Sequence, residues 1–309
     1  MDPQTTIYIL GSGAVGFPLA AHLAHAGRRV VAVRTSKQDV PQSTITITVR
    51  NGANQIDIPV ETISLAQLAT LDGIIVIAAK AYANPTLAQS LQEKTVTGPI
   101  VLLQNGVGVE KPLLASHFPA IYRGILYVTG QANAAYDFSF RPVTSSSIGI
   151  VKGDAATLQQ CVAALTTAGF PFHAEANIQS EIWKKAILNA VFNSICPLLD
   201  VDNGVFARDA AVANLAQEIV HECVLLTDRL KLGLSEDALM AQIVRVSKGS
   251  DGQLISTLQD IRVGRPTEIE FLNLEIARVA AALEPPLELP KTELLGKMIL
   301  AKSFALGSV

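Results

Sequence analysis

The apolar residues follow two different patterns along the chain. Up to about residue 174 they come in short runs or alternate with polar positions, and beyond it they recur at helical spacing. The first run, Ile7-Tyr8-Ile9-Leu10, breaks at Gly11; an Ala/Leu-rich segment then closes at Gly27 before a second run, Val30 to Val33. That order predicts strand, turn, helix and strand, a βαβ unit. Gly73 to Ala79 (GIIVIAA) and Pro99 to Leu103 have the length and flanks of buried parallel strands. Thr44 to Val60 alternates around Asn51-Gly52, which predicts a hairpin, taken here as a β-insert outside the chemistry. Between Ile121 and Lys152, the segments ILYVTGQA, DFSFRPV and SIGIVKG read as short antiparallel strands completing a sheet, with a helix over Ala155 to Gly169.

Beyond His173 strand-like runs stop, which places a domain boundary near Glu175. The predicted architecture is an α/β domain over residues 1–174 followed by an all-helical domain over 175–309. The first helix of the second half, Ile178 to Ile195, carries Lys185, Asn189 and Asn193 at i, i+4 and i+8. They form one polar stripe on a helix otherwise rich in Ile, Leu, Val and Phe. Buried without partners, such groups are costly, so they either face solvent or line a polar cavity. Lys184, next to Lys185, is the alternative exposed lysine. Further on, Thr267 with Glu270 three residues later predicts a capping box, which would put Glu268 in the first turn of a helix, where the dipole favours a carboxylate.

The glycine turn gives the first half its chemistry. In Gly11-Ser12-Gly13-Ala14-Val15-Gly16, Gly11 permits the tight turn, Gly13 lets the backbone approach a pyrophosphate, and Gly16 lets the helix lie on the strand. The N-terminus of the helix attracts the phosphates. At the end of the second strand, an Asp or Glu would bond a ribose 2′-hydroxyl. This chain has Arg34 there, then Thr35, Ser36 and Lys37. A cation with hydroxyls suits a phosphate monoester, so NADPH is expected rather than NADH. Lys80 and Asn105 each fall at the carboxyl end of a predicted parallel strand, where ligands gather in open α/β sheets. Taken singly, Lys80 reads as a surface lysine and Asn105 as a turn former.

Composition narrows the class. The chain has 309 residues, 49% of them hydrophobic, and a net charge of −3. No apolar run approaches the length of a membrane span, and no basic run invites nucleic acid. The start, MDPQTT, lacks the charge and apolar core of a secretory signal, so the cytoplasm is the expected location. Cys161, Cys196 and Cys223 are widely spaced with no CxxC, which reads as reduced, buried thiols and no metal site. The apolar surplus permits a homodimer through the helical domain, although an apolar face packed inside one chain reads the same way.

Together these segments resemble the ketopantoate reductase (2-dehydropantoate 2-reductase) family along the whole chain. The matching motifs are GSGAVG, VxVR, AAKAY, LLQNGVG, ExWKKxxxNxxxN and STLQDIRxGRPTEIE. The resemblance implies a Rossmann domain followed by an all-helical domain, with the active site in the cleft between them. It implies NADPH-dependent reduction of ketopantoate to pantoate in pantothenate biosynthesis. Lys185 would be the general acid and Glu268 would hold the substrate hydroxyl. Asn105, Asn189, Asn193 and Ser256 would bind substrate, while Arg34 and Lys80, with Asn105 again, would serve the NADPH beside the glycine turn. The alternatives are a paralogue acting on another branched 2-oxo acid and a non-catalytic NADP-binding regulator, against which Lys185 and Glu268 both argue. A related β-hydroxyacid or imine reductase would not require the set Asn105, Ser256 and Glu268.

Overall fold

The computed structural model describes residues 5–35 and 41–305. Ser36 and Lys37, expected beside the 2′-phosphate, lie outside the described residues, as does MDPQ at the start. The opening unit is β1 (Thr6–Leu10), α1 (Gly16–His25) and β2 (Val30–Arg34). There follow β3 (Ser43–Asn51), β4 (Asn54–Ser64), β5 (Thr70–Leu71), β6 (Gly73–Ile77), α2 (Asn84–Gln92), β7 (Thr95–Val96), β8 (Ile100–Leu102), α3 (Lys111–Leu114) and β9 (Ile121–Ile125). Then come β10 (Val128–Ala134), β11 (Asp137–Pro142), β12 (Ser146–Lys152), α4 (Ala155–Leu165) and β13 (Phe172–Ala174). The rest is helical: α5 (Ile178–Leu199), α6 (Val205–Arg208), α7 (Ala210–Arg229), α8 (Glu236–Gly249), α9 (Ser256–Arg262), α10 (Asn273–Ala281) and α11 (Pro290–Ala305). One compact unit runs through Gln104 and resumes over Val109–Ile178; the other takes Asn105–Gly108 together with the chain from Gln179 onward.

Among the described residues the main sheet has eleven strands in the order β10-β11-β3-β4-β2-β1-β6-β8-β9-β12-β13. Its centre, from β4 through β2, β1, β6 and β8 to β9, is parallel at every step. In chain order those six strands run third, second, first, fourth, fifth, sixth, the doubly wound Rossmann order. The order reverses between β1 and β6, and such a reversal opens a ligand crevice at the carboxyl ends of the strands.

Two expectations need correction. The hairpin of β3 and β4 is no insert, because β4 also pairs in parallel with β2, from Val31↔Glu61 to Arg34↔Ser64. The half of β4 near the turn is largely exposed, whereas Val60, Thr62 and Ser64 are buried. The local alternation announced a hairpin and was silent about this second neighbour. Nor is the segment 121–152 uniformly antiparallel. β9 runs parallel to β8 and only β12 returns antiparallel to it, while β10 and β11 form a hairpin on the opposite edge against β3. Short alternating strands do not encode their partners, so one stretch of chain supplies strands to both sides of the sheet, with β13 beyond β12 at the far edge.

The glycine turn is packed into the sheet at the reversal. The carbonyl of Leu10 accepts from the backbone N–H of Ala78 at 2.8 Å and of Ala79 at 3.0 Å. Gly11 has φ +116°, and a Cβ there would lie 2.3 Å from the Ala79 nitrogen. A Cβ on Gly16 would stand 1.9 Å from the Gly11 carbonyl oxygen. Gly13 is different, since a Cβ there meets nothing within 4 Å and its φ is ordinary. In the core of this unit, Phe140, Phe170 and Phe172 stack with centroids 4.8 and 4.9 Å apart, in one cluster with Leu19, Leu23 and Leu165. Burial pushes the Cys161 thiol up to about 12, which agrees with a reduced and inert residue.

In the second unit, α5 is buried at Ile182, Trp183, Ala186, Ile187, Leu188, Ala190, Val191, Phe192 and Ile195. It runs past the expected end through Pro197, which has no N–H to give the carbonyl four residues back and lies two residues before the helix ends at Leu199. The N-terminus of α11 is capped from outside: the buried carboxylate of Glu222 on α7 accepts from Lys291 N at 3.0 Å and Thr292 N at 2.8 Å. Such a contact satisfies two orphan N–H groups and sets a negative charge at the positive end of the helix.

The glycines yield a stability prediction. Gly16→Ala forces a backbone shift and should cost about 1–3 kcal/mol or more, whereas Gly13→Ala should stay within about 0.5 kcal/mol of wild type. Urea unfolding of the two variants checks this, and equal midpoints would refute it.

Candidate active site

In the first unit the carboxyl ends of β1, β2 and β6 gather the cofactor candidates. Gly11 and Gly16 are buried, Ser12 and Gly13 are exposed, and Ala14 and Val15 are half-buried. The N-terminus of α1 has no side-chain cap and no acidic residue in its first turn. Its N–H groups and dipole are therefore unopposed there by any carboxylate of its own helix. The edge hairpin comes close to this turn, since a Cβ on Gly130 of β10 would lie 2.5 Å from the Ala14 carbonyl oxygen.

Arg34 ends β2, half-buried, and its Nη2 donates to the Tyr136 hydroxyl at 3.0 Å. The guanidinium carbon lies 5.9 Å from the centroid of the same ring, within cation–π range. Tyr136 sits at the tip of the β10–β11 hairpin with φ +63°, and its ring meets Phe17 of α1 edge-on at 5.7 Å. Tyr136 carries no local signature that would mark it, because nothing in the sequence links positions 102 residues apart. Lys80 is half-buried and extended (φ −62°, ψ 144°), just before a 3₁₀ turn over Ala81–Ala83. It therefore projects from the end of the β6 segment and does not start an α-helix.

The second unit holds the remaining candidates. On α5, Lys185 and Asn189 are half-buried and Asn193 is buried, in line along the helix. Lys184 is accounted for by an ion pair with Glu181 at 3.2 Å. Asn193 Oδ1 accepts from Ser256 Oγ and from Thr257 N, both at 3.1 Å. The structure thus joins two residues that the sequence marked separately. The bond also explains the start of α9, whose N-cap position is occupied by Ile255, a residue with no acceptor to offer. Asn193 from another helix supplies the cap.

The capping box at Thr267 does not form. Thr267 is buried outside any helix, and Glu268, half-buried, stands at the N-cap position of a single 3₁₀ turn, Ile269–Phe271. Leu272 then breaks the path with φ −111° and ψ −109°, and α10 begins only at Asn273. The cause is the Asn105–Gly108 loop. Val107 N donates to the Phe271 carbonyl at 2.9 Å, and a Cβ on Gly106 would lie 2.5 Å from the same oxygen. A carbonyl committed to that loop is lost to a continuing helix. The contact also brings the loop bearing Asn105 beside the turn bearing Glu268.

Residues 7–151 match the family model for Ketopantoate reductase PanE/ApbA, and residues 177–303 match that for the Ketopantoate reductase PanE/ApbA C terminal. The chain belongs to the ketopantoate reductase family. It is similar to the 2-dehydropantoate 2-reductase of Pyrococcus abyssi, 28% identical over 304 residues spanning 96% of this chain and 97% of the relative. The 2-dehydropantoate 2-reductase of Archaeoglobus fulgidus is 27% identical over 277 residues, 88% of this chain and 90% of that one. Among solved structures, the ternary complex of a D-mandelate dehydrogenase with NADH and anilino(oxo)acetate gives a TM-score of 0.85 at 21% identity, covering 98% of this chain and 100% of that one. The dimeric ketopantoate reductase of Staphylococcus aureus gives 0.82 at 21%, with the same coverage. At these identities the structural likeness carries the fold.

Membership of this family makes the chain an oxidoreductase by class. No helix among the described residues is long and apolar enough to cross a membrane, and no cluster of His, Cys, Asp and Glu there could hold a metal ion.

The borrowed cap can be tested. Asn193→Ala leaves the first N–H groups of α9 without their acceptor and should lower stability by about 1–2 kcal/mol, against less than about 0.5 kcal/mol for Asn189→Ala on the half-buried part of the stripe. Equal urea midpoints for the two variants would remove the capping role.

Proposed function

We propose that the protein is a reductase of a small 2-oxo acid, with NADPH as hydride donor and ketopantoate as substrate. The observation that carries this reading is the line of Lys185, Asn189 and Asn193 on α5, a helix whose other faces are mostly buried. Gly13 supports the cofactor half. Gly11 and Gly16 are required by contacts within the protein, but the space beside Gly13 is free and its φ needs no glycine. A backbone left bare at that point suits the close approach of a pyrophosphate, with the α1 N-terminus facing it. Structural neighbours named with NADH are consistent with a nicotinamide dinucleotide.

The bound dinucleotide supplies a hydride from nicotinamide C4 to the ketone carbon. The remaining chemistry falls to the chain. As the C=O bond breaks toward oxygen, the Lys185 ammonium stabilises the developing alkoxide and transfers a proton from Nζ to it, leaving an amine that solvent reprotonates. Glu268 accepts a hydrogen bond from the substrate hydroxyl. Asn105 and Asn189 donate to the carboxylate and hydroxyl groups, and Ser256, whose own proton goes to Asn193, accepts from a substrate hydroxyl. Asn193, with its oxygen committed to α9, has its amide N–H groups to offer.

Arg34 and Lys80 serve the cofactor. With one N–H on Tyr136, the guanidinium keeps other donors of its planar fork for a 2′-phosphate. The dimeric state named for the Staphylococcus aureus enzyme supports a homodimer here as well. A second reading is favoured by the D-mandelate dehydrogenase neighbour, whose named ligands are NADH and an aryl oxo acid analogue. In that reading this chain reduces a different 2-oxo acid with the same Lys185.

Lys185→Ala should lower kcat by about 10²–10⁴-fold while NADPH affinity, read by fluorescence titration, stays within a factor of about three. Lys184→Ala should leave kcat nearly unchanged, and the reverse pattern would transfer the acid role to Lys184. A steady-state screen of ketopantoate, phenylglyoxylate and pyruvate with NADPH and with NADH separates the substrate readings. Ketopantoate with NADPH is expected to have the highest kcat/KM, and Arg34→Asp should shift the preference toward NADH. Phenylglyoxylate with NADH leading would establish the second reading instead.

A further inference from the structure

The loop that carries Asn105 leaves the sheet at Gln104 and returns at Val109, and one pair of buried amides holds both points. Gln104 Nε2 donates to Asn84 Oδ1 at 2.6 Å, and Asn84 Nδ2 donates to Gln104 Oε1 at 2.7 Å. The second proton of each amide goes to the main chain: Gln104 Nε2 reaches the Ala79 carbonyl and Asn84 Nδ2 the Val109 carbonyl, both at 2.7 Å. Every N–H of the two side chains is thereby used, at exposures of only 5% and 1%. A third buried group joins them. Arg123, fully buried and ion-paired with Glu110, donates from Nη2 to the Gln104 main-chain carbonyl at 3.2 Å.

Leucine and methionine would fill the same volume without polar groups to satisfy. What amides add is direction, because each bond fixes a carbonyl at a set distance and angle. The fixed carbonyls belong to Ala79, immediately before Lys80, and to the residues flanking the Asn105–Gly108 loop. The crown of that loop is in turn bonded through Val107 to Phe271, three residues after Glu268.

We propose that Asn84 and Gln104 are positioning residues, a single amide pair that sets the Ala79–Lys80 peptide and both feet of the Asn105 loop. The peptide before Lys80 and the two residues flanking the Asn105 loop are then held by the same two side chains. The inference rests on the roles proposed above for Lys80 and Asn105.

Hydrogen–deuterium exchange tests the positioning without reference to turnover. Asn84→Ala is expected to speed exchange of the amides of 105–109 by about tenfold or more, with α1 and α5 unchanged. The reciprocal swap Asn84→Gln with Gln104→Asn keeps an amide pair of the same combined length and should return exchange toward wild type. Gln104→Met preserves volume and carries the same measurement if Asn84→Ala does not fold. Unchanged exchange at 105–109, or a rise spread evenly over the chain, overturns the positioning role. On the same variants kcat/KM with NADPH and ketopantoate should fall by about tenfold or more and recover in the swap. Faster loop exchange with kcat/KM unaltered overturns the link to the reaction. Should the wild-type protein reduce no 2-oxo acid, the proposed function falls, and the exchange comparison alone decides the inference.

Discussion

The carbonyl of Leu10, taking two backbone N–H groups from Ala78 and Ala79, is the contact on which the first unit depends. It welds the end of β1 to the end of β6 at the place where the strand order reverses. Because the approach is this close, Gly11 must lack a side chain, and because the turn is this tight, Gly16 must lack one too. The helix that follows is then aimed with its bare N–H groups over the strand ends. Lys80 and Arg34 reach the same end of the sheet simply because β6 and β2 flank β1 in register. The gathering of positive groups at this end of the sheet therefore comes from sheet topology first and from side chains second.

The second unit works from the opposite premise. Its central helix is nearly all core, so the few polar side chains it carries are conspicuous for their cost. Asn193 shows how that cost is met: its oxygen terminates α9, and in doing so fixes Ser256 at the head of the stripe. The loop from Asn105 to Gly108 similarly interrupts the helix expected after Thr267, which leaves Glu268 on a short 3₁₀ turn. Asn193 and Glu268 are thus both placed by contacts made far along the chain, one completing a helix start and the other interrupting one.

The parts legible in the sequence were those encoded within one or two elements. The glycine turn, the strands around Ile9, Ala32 and Val76, and the stripe from Lys185 to Asn193 all follow from local period and spacing. The misread parts depend on neighbours far along the chain. Nothing in the alternation of residues 44–60 says that β4 will pair with β2, and nothing near Thr267 says that Val107 will claim the Phe271 carbonyl. Tyr136 against Arg34 and Asn84 against Gln104 were invisible for the same reason, since single polar residues carry no record of their partners. Gln104 stood in plain view beside Asn105, but a residue at a strand end looks alike whether it faces water or an amide.

Two helices of the second unit are terminated by side chains from other helices: α9 by Asn193 and α11 by Glu222. Those partners lie 64 and about 70 residues away in sequence. Neither helix can finish its own first turn, so neither is complete as an isolated segment. The first turns of α9 and α11 are therefore completed only by packing against α5 and α7. A chain cut short before Lys291 would lack both N–H groups that Glu222 bonds, leaving its buried carboxylate without those donors.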